Sequence, residues 1–257
     1  RQRTRSAPDP PVAMTSAIAL PILAITALLT SVVSAVIGMG GGFALLAVMA
    51  ILLPPALVVP LHGVVQLASN GTRTLVMLRH VCWRIFAIYA LPLVVGVVAA
   101  MQLWQGGKMT WFRPLIGCFV LAFLAWRRVE RRPRDLPLAS FVGVGFAVGF
   151  LTIFVGATGP FAAPFFLRSD MTKEQIVATK AVCQTFGHVL KIPAFLWLGV
   201  DFAPHLPLLG VLIACVVVGT LAGRYVLGRI SKRVFVVLFE GVLAVMAVVL
   251  IARWLLE

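Results

Sequence analysis

Long apolar runs follow one another along the chain, with short polar or basic stretches between them. A helix needs about 20 residues to cross the hydrocarbon core of a bilayer. Most of the runs approach or exceed that length, and two are clearly shorter. We therefore predict an all-α, polytopic integral membrane protein with about ten membrane segments. These segments are residues 17–37, 41–53, 55–78, 85–104, 112–126, 138–156, 159–168, 173–199, 205–227 and 234–255.

Each of the two short runs follows a glycine-rich break in the apolar pattern. Residues 38–42 read GMGGG before the first short run, and residues 156–160 read GATGP before the second. Irregular backbone at membrane depth is tolerated only where it is buried in protein or lines a cavity, although single glycines also serve close helix packing. Because the two breaks match, we favour the interpretation that they line a cavity over close helix packing. Matched breaks of this kind indicate the binding site of a transporter.

The breaks belong to an internal duplication. A shift of 118 residues places the first break on the second and Gln66 on Gln184, and a slightly larger shift places Gly96 on Gly219. Because five segments per half is an odd number, we predict that the two five-segment repeats are inverted, which is an architecture typical of alternating access. The predicted divisions are a disordered tail at 1–13, a first repeat at 14–126, a basic cytoplasmic linker at 127–137 and a second repeat at 138–257.

The positions of the basic residues predict the topology. If every run crosses and the N-terminus is outside, the basic clusters between the runs lie inside, as the positive-inside rule expects. These clusters are Arg79 with Arg84, the arginines between 127 and 134, Arg168 with Lys173, and the basic residues of 224–233. If the short runs are re-entrant, the last two clusters move outside, and this alternative stays open.

The composition indicates lipid as the main solvent. The chain of 257 residues is 61% hydrophobic and 12% charged, with a mean hydropathy of +1.05. A soluble domain is about half apolar and a quarter charged. The net charge of +14 lies between apolar runs and not on one face of a soluble fold, so we expect no nucleic-acid partner.

The long run after each break carries polar residues on one helix face, at spacings of three and four. Ionisable residues inside membrane segments usually mark a transport pathway. Two alternatives stay open: Arg73 lies close enough to the helix end to extend to the interface, and glutamines can join helices by hydrogen bonds. The stripes contain His62, Gln66, Ser69, Asn70 and Arg73 in the first repeat, and Lys180, Gln184, Thr185, His188 and Lys191 in the second.

Carboxylates are nearly absent from these segments, since only Glu240 lies well inside a run. Amides, imidazoles and cations without acids suit an oxyanion, and helix N-termini at the breaks add partial positive charge. The predicted substrate-binding residues are Gln66, Gln184, Asn70, His188, Arg73, Lys191, Gly41, Gly42, Thr158 and Gly159, with Lys180, Ser69 and Thr185 as secondary members. His62 or His188 would carry a coupled proton, because histidine titrates near neutral pH.

These features resemble the sulfite exporter TauE/SafE family of permeases. The resemblance rests on residues 34–43 (SAVIGMGGGF) and 156–161 (GATGPF), on the polar helix after each, and on the basic central stretch, and it covers residues 17–255. It implies transport of sulfite, sulfoacetate or another organosulfonate across the bacterial inner membrane. Pro160 stands where the first break has Gly42, so the two half-sites are chemically unequal.

We therefore predict a secondary transporter, of the exporter type, for a small sulfur-containing anion. Its partners would be that anion and the lipid bilayer, with a co-transported proton and a homodimer left open. The alternatives are a transporter of another organic anion, such as a carboxylate, and a non-transporting membrane partner protein. We expect no catalytic residues, metal or cofactor, because no HExxH or GxSxG motif occurs in the chain.

Overall fold

The computed structural model describes residues 18–103, 118, 120–122, 124–125 and 135–256. Its helices are α1 (Ala19–Ile37), α2 (Gly41–Leu52), α3 (Pro55–Val76), α4 (Trp83–Gln102), α5 (Ser140–Val155), α6 (Gly159–Phe166), α7 (Lys173–Trp197), α8 (Leu206–Leu227) and α9 (Lys232–Leu256). Short 3₁₀ turns at Leu78–His80 and Ala203–His205 precede α4 and α8. The few described residues of the predicted run 112–126 are also helical. The predicted tail at 1–13 and residues 127–134 of the linker lie outside the described ranges.

The helices expose apolar side chains and bury polar ones. Leu91 of α4 is 72% exposed, whereas Arg73 of α3 is 1% exposed and Lys191 of α7 is fully buried. In water the hydrophobic effect would favour the opposite arrangement. In the part of the chain that the structure describes, α1, α4 and the segment Ala203–Leu227 are long and apolar enough to span a bilayer, and α2 and α5 are shorter apolar helices. The protein is therefore an all-α integral membrane protein, as predicted.

Both glycine-rich breaks interrupt the helices where the sequence predicts. α1 ends at Gly38 (φ 85°) and α5 ends at Gly156 (φ 81°), and glycine adopts positive φ without steric cost. After the first break α2 returns along α1, because Gly41 lies against Thr30 and Ser34. The short helices that follow the breaks have 12 residues in α2 and 8 residues in α6.

Two pairs of helices join the two halves of the chain in equivalent ways. α1 packs on α8 through Gly219, which lies against Leu28, and α4 packs on α5 through Gly96, which lies against Phe146. In both pairs the contacts advance in the same direction along the two helices, so each pair is parallel. Gly96 and Gly219 are the glycines that the duplication matches. Each of them brings its helix against the first helix of the other half.

The two polar helices, α3 and α7, cross at the centre of the molecule. Gly63 in the first half of α3 lies against the side chain of Lys191, near the end of α7. Thr74, near the end of α3, shares a hydrogen bond with Thr185, which precedes Lys191 (3.1 Å between the hydroxyl oxygens). The contacts run in opposite directions, so α3 and α7 are antiparallel.

The described basic loops lie together at one end of the bundle. The ammonium group of Lys173, at the start of α7, donates to the carbonyl of Leu227 at the end of α8 (2.7 Å). The backbone N–H of Cys82, just before α4, donates to the hydroxyl of Thr179 in the second turn of α7 (2.9 Å). The clusters that share this end are Arg79 with Arg84, Arg168 with Lys173, and the basic residues of 224–233.

Asp135 ties the entry of α5 to the same end. Its carboxylate accepts hydrogen bonds from the backbone N–H (2.9 Å) and the hydroxyl (2.6 Å) of Ser169. Partial burial alone would raise the pKa of the Asp135 carboxyl, but these hydrogen bonds and the charge of Arg168 hold that pKa below its ordinary value. Arg168 in turn donates to Asp170 (2.8 Å), which raises the pKa of the guanidinium. Both groups are therefore charged at neutral pH.

Two glycines of α5 provide a matched test of the packing between α4 and α5. A Cβ at Gly149 would collide with the carbonyl oxygen of Leu93, whereas a Cβ at Gly143 would meet nothing within 4 Å. We expect Gly149→Ala to destabilise the protein by about 1–3 kcal/mol, because the backbone of α4 must move. Gly143→Ala should stay within about 0.5 kcal/mol of the wild type. Thermal unfolding in detergent measures both, and equal losses for the two variants would contradict the packing.

Candidate functional site

A buried cavity lies where α3 and α7 cross between the two breaks. Its volume is about 40 Å³, and a single water needs about 10–15 Å³ of free space. In this conformation the cavity therefore has room for a small ion or a few waters. Most of the predicted site residues line it: Gly42, His62, Gln66, Asn70, Arg73, Thr158, Gly159, Lys180, Gln184 and His188.

The other four predicted residues lie beside the cavity without lining it, and they are Lys191, Gly41, Ser69 and Thr185. Ser69 shares a hydrogen bond with Thr220 of α8 (3.3 Å), and Thr185 shares one with Thr74 of α3 (3.1 Å). Gly41 packs against α1. In this conformation these residues hold the helices together around the cavity.

The side-chain oxygen of Gln66 is occupied by a protein donor. The amide nitrogen of Asn70 donates to Gln66 Oε1 (3.3 Å) and to the backbone carbonyl of Gln66 (3.0 Å). Arg73 in turn donates to Asn70 Oδ1 (3.0 Å). These side chains meet because residues three and four apart share one helix face. Gln66 Nε2 has no hydrogen-bond partner among the described residues.

Gln184 is held in the same way by a different residue. The ammonium group of Lys180, one turn earlier on α7, donates to Gln184 Oε1 (3.2 Å). The amide nitrogen of Gln184 lies against Gly159, in the first turn of α6. Within the described ranges this nitrogen also lacks a hydrogen-bond partner. In both glutamines the side-chain oxygen therefore accepts a hydrogen bond, and the amide nitrogen has no partner among the described residues.

Lys180 and Lys191 also occupy the carbonyl groups at the ends of the interrupted helices. Lys180 Nζ donates to the carbonyl of Gly38 (3.0 Å), and Lys191 Nζ donates to the carbonyl of Gly156 (2.8 Å). A buried carbonyl left without a donor would cost about 1–3 kcal/mol, and a cation at a helix C-terminus also interacts favourably with the helix dipole. One helix, α7, thus stabilises both breaks.

The two histidines lie together beside this cavity. His62 Nε2 donates to the carbonyl of Gly42 (2.7 Å), which places a hydrogen on that ring nitrogen. The imidazoles of His62 and His188 pack edge to face, with ring centroids 6.4 Å apart. Nδ1 of each histidine is buried without a partner in the described part of the chain, as is Arg73 Nε.

Two hydroxyl residues line the cavity although neither belongs to a polar stripe. They are Ser34, in the last turn of α1, and Thr152, in the last turn of α5. The shift of 118 residues that relates the two breaks also places Ser34 on Thr152. The duplication could therefore have identified these two residues as candidates for the cavity lining. Cys183 and Met246 also line the cavity, and no sequence pattern singles them out.

A polar cavity between two interrupted helices is an arrangement that membrane transporters use to bind their substrates. A family model described as "Sulfite exporter TauE/SafE" matches residues 23–250. The chain belongs to this family, as the resemblance of its motifs implied, and the family consists of membrane transporters of the sulfite and anion exporter type. A search of curated proteins and a search of solved structures give no match.

A substitution at Gly42 tests whether the position of Gln66 matters. A Cβ at Gly42 would lie 2.8 Å from Gln66 Oε1 and 3.0 Å from its Cδ. Because the Gln66 side chain is flexible, we expect Gly42→Ala to turn the amide aside with little change in the melting temperature. Sulfite flux into proteoliposomes should fall at least about ten-fold, since small misplacements of positioning groups have large effects.

The matched control is Gly71→Ala on α3, where the nearest atom to a Cβ is a methyl carbon of Thr185 at 3.9 Å. This control should transport sulfite, the anion for which the family is named, at the wild-type rate. Wild-type flux in Gly42→Ala at equal protein density would show that the placement of Gln66 is unimportant.

Proposed function

We propose that the protein is a secondary transporter that exports a small sulfur-containing oxyanion by alternating access. Sulfite, sulfoacetate or another organosulfonate would be its substrate. The observation that carries this proposal is that the side-chain amide oxygens around the cavity already accept hydrogen bonds from the protein. Gln66 Oε1, Gln184 Oε1 and Asn70 Oδ1 each accept a hydrogen bond from a protein donor. Unpaired N–H groups beside Arg73 and Lys180 favour an anion.

The charges around the cavity support the same proposal. Arg73 and Lys180 line it, and no carboxylate of the described residues does. The first turns of α2 and α6 also point their backbone N–H groups towards the breaks, where helix dipoles contribute partial positive charge. A cation would find no ligand set in such a cavity.

Each predicted residue has a role in this proposal. Gln66 and Gln184 bind the anion's oxygens through Nε2, helped by the hydroxyl of Thr158 and the backbone N–H groups of Gly42 and Gly159. Arg73 supplies charge directly. The remaining members act through the structure: Asn70 and Lys180 hold the glutamines, Lys191 holds the second break, Gly41 places the first turn of α2, and Ser69 and Thr185 join helices.

The histidines are the proposed site of proton coupling. His62 and His188 line the cavity, and each has a ring nitrogen without a partner in the described part of the chain. A proton bound there would travel beside the anion and offset its charge. Histidine is suited to this role because its unperturbed pKa lies near neutral pH.

The packing of the helices supports an architecture of ten segments in two inverted repeats, 14–126 and 138–257. The shift of 118 residues makes α3 and α7 equivalent, and equivalent helices of inverted repeats are antiparallel, as α3 and α7 are. The same relation exchanges the pair of α1 and α8 with the pair of α4 and α5, and both pairs are parallel. These relations support a topology in which the two short segments, 41–53 and 159–168, cross the membrane and are not re-entrant.

The basic loops support an orientation and a location. Because the described clusters share one end of the bundle, the positive-inside rule assigns that end to the cytoplasm. We therefore propose the bacterial inner membrane, with the anion moving from the cytoplasmic end to the opposite end.

A carboxylate transporter is the second candidate function. The same observation favours it, since a carboxylate also presents only acceptor oxygens to the unpaired N–H groups of Gln66 and Gln184. Competition of acetate with sulfite in the flux assay separates the two candidates.

Substitution of the two glutamines tests the proposed function. We expect Gln66→Ala and Gln184→Ala each to reduce sulfite flux into proteoliposomes about ten-fold or more, because each loses a hydrogen bond to a charged ligand. Gln102→Ala is the matched control, since Gln102 is the exposed last residue of α4. Transport at the wild-type rate in both cavity variants would refute the proposed binding site.

A further inference from the structure

Asn70 and Lys180 determine which end of each glutamine amide faces the cavity. An amide can offer either an oxygen acceptor or an NH₂ donor, depending on how it is rotated. Asn70 holds the oxygen of Gln66 at 3.3 Å, and Lys180 holds the oxygen of Gln184 at 3.2 Å. Rotation of either amide would break this hydrogen bond and would bring two N–H groups against each other. Both glutamines are thereby restricted to the donor orientation.

Three backbone carbonyls near the cavity also accept hydrogen bonds from side chains. The carbonyls of Gly38, Gly156 and Gly42 accept hydrogen bonds from Lys180, Lys191 and His62, respectively. The hydroxyls of the lining residues donate as readily as they accept, so they do not distinguish an O–H group from an oxygen lone pair. The Nδ1 atoms of the two histidines are buried without a partner in the described part of the chain, and the proposed function assigns them to the coupled proton and not to the anion.

We infer that Asn70 and Lys180 are positioning residues that make the site selective for oxyanions without an O–H group. This inference rests on the proposed function and defines its substrate class more narrowly. Fully deprotonated sulfur oxyanions and sulfonates belong to the favoured class, whereas oxyanions that carry a proton, such as hydrogen phosphate or bicarbonate, belong to the excluded class. Total charge and size do not make this distinction.

The physical basis is the loss of hydrogen bonds around a misplaced proton. An O–H group directed at Gln66 Nε2 or Gln184 Nε2 places two hydrogens against each other, and both donors then stay unpaired. Leaving buried polar groups unpaired discriminates more strongly than a change of size does. The orientation of the two amides therefore disfavours an anion that directs an O–H group at either of them.

Methanesulfonate and methylphosphonate provide a matched pair of probes. At a mildly acidic pH where methylphosphonate keeps one proton, both are monoanions of nearly the same shape, and only methylphosphonate has an O–H group. Titration of the purified protein with each compound, followed by thermal unfolding, gives an apparent dissociation constant for each. We expect the wild type to bind methanesulfonate at least about ten-fold more tightly.

Variants of the two positioning residues should reduce this ratio. Asn70→Leu and Lys180→Met each release one glutamine oxygen, so the ratio should fall at least about three-fold as the amide turns. Lys180→Met also removes a charge, but both probes are monoanions, so the ratio isolates the orientation of the amide. Thr74→Val is the matched control, because Thr74 contacts the Asn70 carbonyl and Thr185 and leaves the bond from Asn70 to Gln66 intact.

The outcomes separate this inference from the function on which it rests. Equal binding of the two probes by the wild type would overturn the selectivity and leave anion transport standing. A wild-type ratio that persists in both variants would show that Asn70 and Lys180 do not set it. Binding of neither probe would contradict the proposed function itself, and the inference with it.

Discussion

A carbonyl group at the end of an interrupted helix has no partner within its helix and, at membrane depth, no bulk water to bind. In this protein two lysines of one helix meet that need. Lys180 occupies the carbonyl of Gly38 and Lys191 occupies the carbonyl of Gly156. Without these donors the two breaks would leave buried carbonyl groups unpaired, and the interrupted helices would be less stable than continuous ones. The cavity exists because the breaks do.

The same donors explain the chemical character of the cavity. Lys180 serves a break carbonyl and the Gln184 oxygen together, and Asn70 serves the Gln66 oxygen. Each hydrogen bond engages an amide oxygen, and the amide nitrogen beside it has no partner among the described residues. Because α7 carries both lysines, a movement of α7 changes both breaks and one glutamine at once. The breaks and the proposed recognition of an anion thus depend on one set of hydrogen bonds.

Much of the fold follows from patterns that are local in sequence. Apolar runs mark the helices, positive-φ glycines mark the breaks, and spacings of three and four place Gln66, Asn70 and Arg73 on one face of α3. The duplication also relates Ser34 to Thr152, although a single hydroxyl residue in an apolar segment does not by itself indicate a functional site. Such features are predictable because each depends on residues within a few turns or on a simple repeat.

The partners of the cations could not be predicted in this way. The sequence places Lys191 among the predicted substrate-binding residues. In the structure its ammonium group donates to the carbonyl of Gly156, and this contact exists only once α5 and α7 have packed together. The orientation of the two amides has the same origin, since glutamine is symmetric in shape and only its neighbours choose between oxygen and nitrogen. Long-range hydrogen bonds therefore decide what the local patterns leave open.

An experimental structure with sulfite bound tests the central claim most directly. If donor groups held by Asn70 and Lys180 form the site, oxygens of the anion will lie about 2.7–3.2 Å from Nε2 of both Gln66 and Gln184. The oxygens of those glutamines will stay on Asn70 and Lys180. An anion bound away from both amides, or a glutamine whose Oε1 faces the cavity, would contradict the account.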